Sequence, residues 1–266
     1  MASPIHHIAR KETPGQDPES IARTVSPSGT VVVIPTYNES LNIKAILKLV
    51  LSLDDGFSVI VVDDNSPDGT WKLVEEVQSD YPDRIQLIRR SEKSGLGTAY
   101  IAGFKVALEQ GFELICQMDA DFSHDPNDLT RLVAAIRNGA DMAIGSRYYG
   151  GVRIINWPLS RLILSYGAGL YTRVITGMPI RDVTAGFKCI HRRVLETLDF
   201  GRIKSNGYSF QVELHYRTWK EGFAIKEVPI IFTERVEGTS KMNRAIIREA
   251  AWKVWELRFR SIFGKL

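Results

Sequence analysis

The chain is poor in cysteine and contains no long apolar run. Only Cys116 and Cys189 occur among the 266 residues, and both lie in apolar, strand-like stretches, so neither a disulfide framework nor a cysteine-based metal site is predicted. No run approaches the ~20 apolar residues of a membrane-spanning helix, and the N-terminus lacks the apolar core of a signal peptide. These absences predict a cytoplasmic protein that does not span a membrane on its own.

The chain also has little excess charge of either sign. Its formal net charge is +3, with 44% hydrophobic and 24% charged residues, which is ordinary for a globular protein with a sizeable core. So small an excess does not indicate nucleic acid, and no such partner is predicted. Residues 1–28 carry four prolines among polar and charged residues without periodicity. They are predicted to be a disordered leader before a single catalytic domain.

Strand-like and helical patterns alternate through the first half of the chain. Short β-branched or apolar runs predict strands, and apolar residues at helical spacing follow most of them. The predicted strands are 30–34, 57–62, 85–88, 112–118 and 141–145, and the predicted helices are 41–51, 71–77, 95–109 and 126–138. This alternation predicts an α/β fold in one domain, with a mostly parallel sheet flanked by helices.

The second half is less regular. A long helix is predicted over 156–177, a strand ending near His191, a helix over 206–221, and an edge-type strand over 223–232 that Pro229 interrupts. The final segment, 240–266, is helical by composition. No repeat or low-complexity linker divides the chain after residue 28, so we predict a catalytic domain over 29–239.

Polar pairs follow three of the predicted strands where each strand ends. Tyr37 and Glu39 follow the first strand, Asp63 and Asp64 the second, and Asp119 with Asp121 the fourth. In parallel sheets of this kind, ligands bind beyond the carboxyl ends of the strands. The three pairs are therefore predicted to line one pocket.

The Asp119-Ala120-Asp121 motif allows two interpretations. Two close carboxylates repel unless a positive group lies between them, and Mg²⁺ is typically held by one or two carboxylates plus substrate phosphates. Alternatively, the pair only opens a loop and caps the helix that starts near Pro126. A dinucleotide site of the Rossmann type is not predicted, because Gly95 and Gly97 follow the third strand and lack the third glycine of that motif.

In combination, these motifs resemble those of the inverting nucleotide-sugar glycosyltransferases with the A-type fold. The closer resemblance is to the dolichyl-phosphate (polyprenyl-phosphate) mannose synthases, and it extends over roughly residues 29–245. The stretches that carry it are 35–39 (PTYNE), 63–70 (DDNSPDGT), 93–97 (KSGLG), 119–124 (DADFSH), 145–148 (GSRY), 182–187 (DVTAGF), 207–211 (GYSFQ) and 235–242 (RVEGTSKM).

The resemblance implies metal-dependent, inverting transfer of mannose from GDP-mannose to a polyprenyl phosphate. It implies that Asp119 and Asp121 hold Mg²⁺ or Mn²⁺, with Ser123 as a third ligand that can act through water because it is shorter than the Gln of similar enzymes. The catalytic residues it implies are Asp119, Asp121 and Arg147. The donor-binding residues it implies are Pro35, Tyr37, Glu39, Val62, Asp64, Lys93, Asp119, Ala120, Asp121, Arg235 and Lys241.

Two of these donor residues have an alternative explanation. By resemblance, Arg235 and Lys241 fold over the diphosphate, and Gly238 between them suits a mobile lid. Without the family, the same two side chains would be interpreted as a solvated surface pair.

The acceptor side is marked by the absence of an obvious general base. A phosphate monoester has a second pKa of about 6, so at neutral pH it is already a nucleophile and needs cations to position it. The acceptor-phosphate residues that the resemblance implies are Arg147, Arg161 and Ser165. For Arg161, an ordinary surface arginine is an equally good interpretation.

The segment 240–266 is predicted to be a basic amphipathic helix with interleaved Trp252, Trp255 and Phe259. Such a helix can lie in a membrane interface, although it can also pack on the domain with a solvated basic face. The chain ends before the transmembrane helices that many bacterial relatives carry. We therefore expect a peripheral protein on the cytosolic face of a membrane, bound directly or through an anchored partner protein.

Three competing functions remain in view. UDP-glucose or a UDP-N-acetylhexosamine could replace GDP-mannose on the same architecture. A receiver-like signalling module also has paired aspartates at a strand end, but it needs a lysine after the fifth strand, where this chain has Gly145-Ser146-Arg147. A non-catalytic sugar-nucleotide binding protein would not need both the metal pair and the basic residues of the lid.

Overall fold

The structure is a computed structural model that describes residues 29–203, 205, 207–234 and 244–264, with the side chains of 244–250 excepted. The predicted leader, 1–28, lies outside the described residues. So does the segment 235–243, which contains the predicted donor residues Arg235 and Lys241.

A seven-stranded sheet forms the centre of the molecule, with strand order β3-β2-β1-β4-β7-β5-β8. Strand β7 runs antiparallel to both of its neighbours, and the other adjacent strands are parallel. Strands β6 and β9 form a separate parallel pair. The strands are β1 (Thr30–Thr36), β2 (Ser58–Asp63), β3 (Ile85–Arg89), β4 (Leu114–Gln117), β5 (Met142–Ser146), β6 (Ile154–Ile155), β7 (Lys188–His191), β8 (Ile225–Pro229) and β9 (Phe232–Thr233). The predicted mostly parallel α/β sheet is confirmed.

Helices cover both faces of the sheet. Along β1 the buried side chains alternate between two apolar clusters, with Val31 and Val33 in one and Val32 and Ile34 in the other, because successive strand residues point to opposite faces. The helices are α1 (Ile43–Ser52), α2 (Thr70–Asp80), α3 (Leu96–Glu109), α4 (Asp128–Arg137), α5 (Leu159–Thr176), α6 (Arg192–Thr197), α7 (Gly207–Lys220) and α8 (Arg244–Ile262).

The second half contains the features that the sequence did not predict. The antiparallel insertion of β7 between β4 and β5 leaves no signal in a residue pattern. Strand β6 has two residues and α6 has six, which is too short for a recognisable period. The edge position of the strand near Pro229 is confirmed, because β8 is the last strand of the sheet.

Helix α8 is apolar on more than one side. Val254 and Leu257 are buried in the core, whereas Trp252, Trp255 and Phe259 are exposed. The helix is therefore packed on the domain and also presents aromatic side chains to solvent. Within the described part of the chain, no helix is both long enough and apolar enough to cross a bilayer.

Candidate active site

The carboxyl ends of β2, β1 and β4 lie side by side, and we call this edge of the sheet the strand rim. Thr36 is paired with Asp63 in the register of β1 and β2. The Asp63 carboxylate is fully buried and accepts hydrogen bonds from the Thr36 hydroxyl (2.8 Å) and the Ser66 hydroxyl (2.6 Å). Asp63 therefore connects the loops that follow β1 and β2. Its neighbours Tyr37 and Asp64 form the next part of the rim.

Tyr37 is the aromatic side chain of the strand rim and is 37% exposed. The Lys93 Nζ atom lies 3.4 Å from the centre of the Tyr37 ring, which places a cation at the same edge. Asp64 is nearly buried and forms an ion pair with Arg90, a residue that the sequence did not single out. Beneath them, Pro35 and Val62 are register partners in β1 and β2.

Glu39, another predicted donor residue, lies in the loop between β1 and α1. Its carboxylate accepts a hydrogen bond from the Asn42 side chain (3.1 Å), and its main-chain N–H donates to the Thr70 hydroxyl (2.9 Å). Glu39 thus joins the loop after β1 to the start of α2.

Asp119 and Asp121 are partly buried at the end of β4. The Tyr100 hydroxyl donates to Asp119 Oδ1 at 2.7 Å, and the Ser123 main-chain N–H donates to Asp121 Oδ1 at 3.1 Å. A Cβ atom on Gly186 would lie 3.3 Å from Asp119 Oδ2. The absence of a side chain there leaves room beside this oxygen.

The loop that follows Asp121 has a strained conformation. Phe122 has a φ of 57°, which is unusual for a bulky residue and costs on the order of 1–3 kcal/mol. This turn of the main chain brings the Ser123 N–H onto Asp121. The Ser123 residue is itself buried, and its carbonyl oxygen accepts a hydrogen bond from the Thr233 N–H.

The donor set of this loop suits a hard divalent cation together with a phosphorylated ligand. Within the described residues, no group of three or more His, Cys, Asp or Glu side chains could hold a metal ion by itself. Mg²⁺ commonly uses one or two carboxylates and takes its other ligands from water and substrate phosphates. The pair Asp119 and Asp121 supplies the two carboxylates of that mode.

A buried polar group lies beneath Asp119. Gln211 Oε1 accepts hydrogen bonds from the Gln117 amide (2.8 Å) and from the Lys188 ammonium group. Burial lowers the pKa of Lys188 to about 7, although the charges of Asp119 and Asp182 oppose this shift. Lys188 therefore supplies a buried, partly protonated amino group close to Asp119.

His124 is the last residue of the DADFSH stretch, and the fold uses it as a packing residue. Its ring stacks on Phe187 with centroids 4.9 Å apart and meets the edge of Phe232 at 5.5 Å. Burial lowers the pKa of His124, so it is neutral at physiological pH. It connects the loop after β4 to the second half of the domain.

Arg147, at the end of β5, is 7% exposed and bound to a carboxylate. Its Nε and Nη2 donate to the two oxygens of Asp182 at 2.7 and 2.6 Å, and Nη2 also donates to the Thr184 hydroxyl at 2.8 Å. Burial lowers the pKa of Arg147, but the ion pair with Asp182 raises it more, so the net shift is upward. Arg147 is permanently charged and held in place.

Arg161 and Arg147 both lie close to the ring of Trp157. The Arg161 guanidinium carbon is 4.1 Å from the Trp157 ring centre, and that of Arg147 is 5.5 Å from the same ring. Arg161 is also paired with Glu234, with Nη1 to Oε1 at 2.6 Å. We call Arg147, Arg161 and Trp157 the arginine cluster. Arg161 is thus partly buried and paired, and its role toward the acceptor stays a prediction.

Ser165 lies next to the arginine cluster on α5. Its hydroxyl oxygen accepts a hydrogen bond from the Tyr148 hydroxyl at 2.8 Å. Since a serine hydroxyl has one proton to donate, Ser165 can accept from Tyr148 and still donate to a ligand. The predicted acceptor residues Arg147, Arg161 and Ser165 are therefore joined through two aromatic side chains.

Three residues of the site were not predicted: Arg90, which pairs with Asp64; Tyr100, which binds Asp119; and Asp182, whose role as partner of Arg147 the sequence did not reveal. Tyr100 and Asp182 lie in stretches that carry the family resemblance or adjoin them, which was the available signal. Nothing in the sequence indicated which way their side chains point.

Comparison with known proteins agrees with this geometry. The sequence pattern of glycosyl transferase family 2 matches residues 31–199. A polyprenol monophosphomannose synthase of Mycolicibacterium smegmatis is 45% identical over 253 residues, which cover 94% of each chain. An undecaprenyl-phosphate mannosyltransferase of Micrococcus luteus is 41% identical over 232 residues, covering 86% of this chain and 95% of the relative.

The fold is also found among solved structures of glycosyltransferases. A mannosyltransferase of Pyrobaculum calidifontis, solved in complex with GDP-Man and Mn²⁺, superposes with a TM-score of 0.56 over 88% of this chain and 74% of that one, at 16% identity. So low an identity supports the A-type fold only, whereas the two relatives and the family pattern support membership. The chain belongs to glycosyl transferase family 2 and, within it, to the polyprenyl-phosphate mannosyltransferases.

Proposed function

We propose that this enzyme transfers mannose from GDP-mannose to a polyprenyl phosphate, with inversion, and that Mg²⁺ or Mn²⁺ assists departure of the GDP. The observation that carries the proposal is the position of Asp119 and Asp121. They lie at the β4 end of the strand rim, beside the second half of the domain, which holds a cluster of two arginines around a tryptophan. The names of both relatives, which specify a polyprenol-type lipid and mannose, support the same reaction.

The strand rim suits a nucleotide. Tyr37 offers a partly exposed ring face for a purine base, and Asp64 can accept hydrogen bonds from base or ribose hydroxyls. Lys93, over the Tyr37 ring, adds positive charge where the phosphates of a bound nucleotide begin. Arg235 and Lys241 would complete the diphosphate site from the segment that follows β9.

Asp119 and Asp121 would hold the cation, with Ser123 binding through water. When bound, a divalent cation neutralises the charge that develops on the departing diphosphate. The protein residues prepare for this by keeping the carboxylates in place: Tyr100 holds one oxygen of Asp119 and the Ser123 N–H holds one oxygen of Asp121.

The arginine cluster suits a phosphate acceptor. The carboxylates nearest to it, Asp182 and Glu234, are both engaged in ion pairs, so neither is placed as a general base. A lipid phosphate does not need one, because its second pKa is about 6. Arg147 and Arg161 would orient the phosphate oxygen for a single displacement on the face of mannose opposite to GDP, which inverts the anomeric centre.

The decisive experiment supplies radiolabelled GDP-mannose, UDP-glucose and UDP-N-acetylglucosamine to the protein with polyprenyl phosphate. We expect label from GDP-mannose alone to enter an organic-soluble, mild-acid-labile product, and EDTA to abolish the transfer. Label from UDP-glucose instead would overturn the donor, and equal transfer in EDTA would overturn the metal. A water-soluble labelled product would overturn the lipid acceptor.

We also propose that the enzyme works on the cytosolic surface of a membrane, because its acceptor is a lipid. Helices α5 and α8 are in contact, with the Tyr171 hydroxyl donating to the Ala251 carbonyl oxygen at 3.2 Å. Both present exposed apolar side chains, namely Leu159, Ile163, Leu164, Tyr166, Leu170, Tyr171 and Val174 on α5, and Trp252, Trp255, Phe259 and Ile262 on α8. Phe263 continues this surface.

Substitution is a better test of this surface than truncation, because Val254 and Leu257 of α8 belong to the core. We expect Trp252→Ser with Phe259→Ser to reduce co-sedimentation with vesicles containing anionic lipid. Leu41→Ser, which removes an equally exposed side chain on another face, should leave it unchanged. If only an anchored partner protein recruits the enzyme, neither substitution will alter co-sedimentation with protein-free vesicles.

A further inference from the structure

Tyr100 is a fully buried tyrosine whose hydroxyl contacts Asp119. It lies on α3, where its ring packs between Phe104 and Phe210, with centroids 6.0 and 6.1 Å away. The Phe210 ring is nearly parallel to it, at an interplanar angle of 3°. The two phenylalanines fix the ring, and the hydroxyl reaches Asp119 Oδ1 at 2.7 Å.

The direction of this hydrogen bond follows from the chemistry of its two groups. A carboxylate oxygen accepts, so the Tyr100 hydroxyl donates its proton to Asp119 Oδ1.

The other oxygen of Asp119 has a different environment. Asp119 Oδ2 faces Gly186, where a Cβ atom would lie at 3.3 Å. The terminal torsion of an aspartate is broad and roughly two-fold, so an unrestrained carboxylate would rotate among many orientations. The Tyr100 hydroxyl hydrogen-bonds to Oδ1, and its ring is packed between Phe104 and Phe210. This hydrogen bond therefore restricts rotation of the Asp119 carboxylate.

We propose that Tyr100 is a positioning residue for the metal carboxylate, holding Asp119 Oδ1 so that Oδ2 is presented to the cation. This inference rests on the metal dependence proposed above. Partners that orient a metal ligand typically contribute about 10- to 100-fold to metal affinity or activity when they are removed. Tyr100 is expected to contribute on that scale although it touches neither nucleotide nor lipid.

The test compares Tyr100→Phe with Tyr216→Phe. Each substitution removes one buried hydroxyl, but the Tyr216 hydroxyl has no hydrogen-bond partner and its ring packs near Trp219 on α7. We would measure Mn²⁺ binding in the presence of GDP by the electron paramagnetic resonance signal of free Mn²⁺. GDP affinity would be measured by calorimetry, in Mn²⁺ and in EDTA.

We expect Tyr100→Phe to weaken Mn²⁺ binding about 10- to 100-fold, to weaken GDP binding in Mn²⁺, and to leave GDP affinity in EDTA unchanged. Tyr216→Phe should match the wild-type protein in all three measurements. The split between Mn²⁺ and EDTA matters because general damage to the fold would weaken GDP binding in both.

Two results would overturn the role of Tyr100 alone: wild-type Mn²⁺ affinity in Tyr100→Phe, or an equal loss of GDP affinity in Mn²⁺ and in EDTA. A third result has a wider meaning. If GDP affinity of the wild-type protein does not depend on Mn²⁺, the metal dependence of the proposed function is wrong, and this inference fails with it.

Discussion

The strand rim and the arginine cluster are built in different ways. At the strand rim, the bonded groups belong to adjacent parallel strands, as when Thr36 binds Asp63 across β1 and β2. In the arginine cluster, Arg147 and Asp182 are 35 residues apart, and Arg161 and Glu234 are 73 residues apart. The first region follows from the order of strands along the chain, and the second depends on how distant segments pack.

The two regions also differ in how their charges are balanced. Asp119 accepts from a phenol hydroxyl and Asp121 from a main-chain N–H, which hold the carboxylates without removing their charge. Arg147 and Arg161 are each paired with a carboxylate. The comparison teaches that a phosphate entering the arginine cluster must share its arginines with Asp182 and Glu234 or displace these carboxylates.

The largest effect is expected when the carboxylates of the strand rim are removed. Asp119→Ala or Asp121→Ala should abolish mannosyl transfer, because each removes one of the two proposed carboxylate ligands of the cation. Circular dichroism should show an unchanged fold, since both side chains lie at the rim. Asp80→Ala, at the exposed end of α2, serves as the control. Near-normal turnover of both variants in EDTA would show that the rim is not a metal site.

The next largest effect is a difference in stability between variants of the two arginine–carboxylate pairs. Asp182→Ala leaves the Arg147 charge buried and unpaired, so the free energy of unfolding should fall by about 3–5 kcal/mol. Glu234→Ala affects a pair that remains partly exposed and should cost no more than about 1 kcal/mol. Urea denaturation measures both. Equal losses would mean that the two arginines are held with equal strength, against the comparison drawn above.

Lys188 lies between the two regions, and the charges of Asp119 and Asp182 both raise its pKa against the effect of burial. Its pKa is about 7 in the folded protein and about 10.4 in an unfolded chain. Between these values the unfolded state binds more protons, so stability of the wild-type protein should rise with pH, by up to about 1.4 kcal/mol per unit. Below the folded pKa the cost of burying the charge is fully present.

Lys188→Met removes this titration. The free energy of unfolding of the variant minus that of the wild-type protein should therefore be greatest near pH 6 and shrink as the pH is raised to 9. Urea denaturation of both proteins at several pH values measures this difference in the free energy of unfolding. A difference that stays constant with pH would show that Lys188 keeps an ordinary pKa.

A smaller effect is expected from releasing Arg161. Glu234→Gln should lower the KM for polyprenyl phosphate by about fivefold or less, which corresponds to a pair worth about 1 kcal/mol. Glu196→Gln, which alters a remote exposed pair with Arg192, is the matched control. A raised KM in Glu234→Gln would mean that Glu234 helps to bind the acceptor instead of competing with it.

The sequence predicted the strand rim better than the arginine cluster for a physical reason. Alternating strands and helices require parallel strands, and parallel strands bring Tyr37, Asp64 and Asp119 to one edge. Nothing comparable determines the position of β7, whose antiparallel insertion brings Lys188 beside Gln117. The residues that hold the site in place, such as Tyr100, were therefore not recognised.

The arginine cluster shows the same limit. Arg147, Arg161 and Ser165 were identified by resemblance, and the structure brings them together. Their carboxylate partners were not predicted, because ion pairs between distant segments leave no periodic pattern. Whether each arginine acts on the acceptor stays a prediction.

The central claim is that the strand rim binds the donor and the arginine cluster binds the acceptor. The most direct measurement is calorimetric titration of GDP in Mn²⁺ with the wild-type protein, Asp121→Ala and Arg147→Lys. The lysine keeps the charge but loses the forked contact that suits phosphate. We expect GDP affinity to be lost in Asp121→Ala and unchanged in Arg147→Lys, while Arg147→Lys lowers kcat. A large loss of GDP affinity in Arg147→Lys would place Arg147 in the donor site and contradict the division.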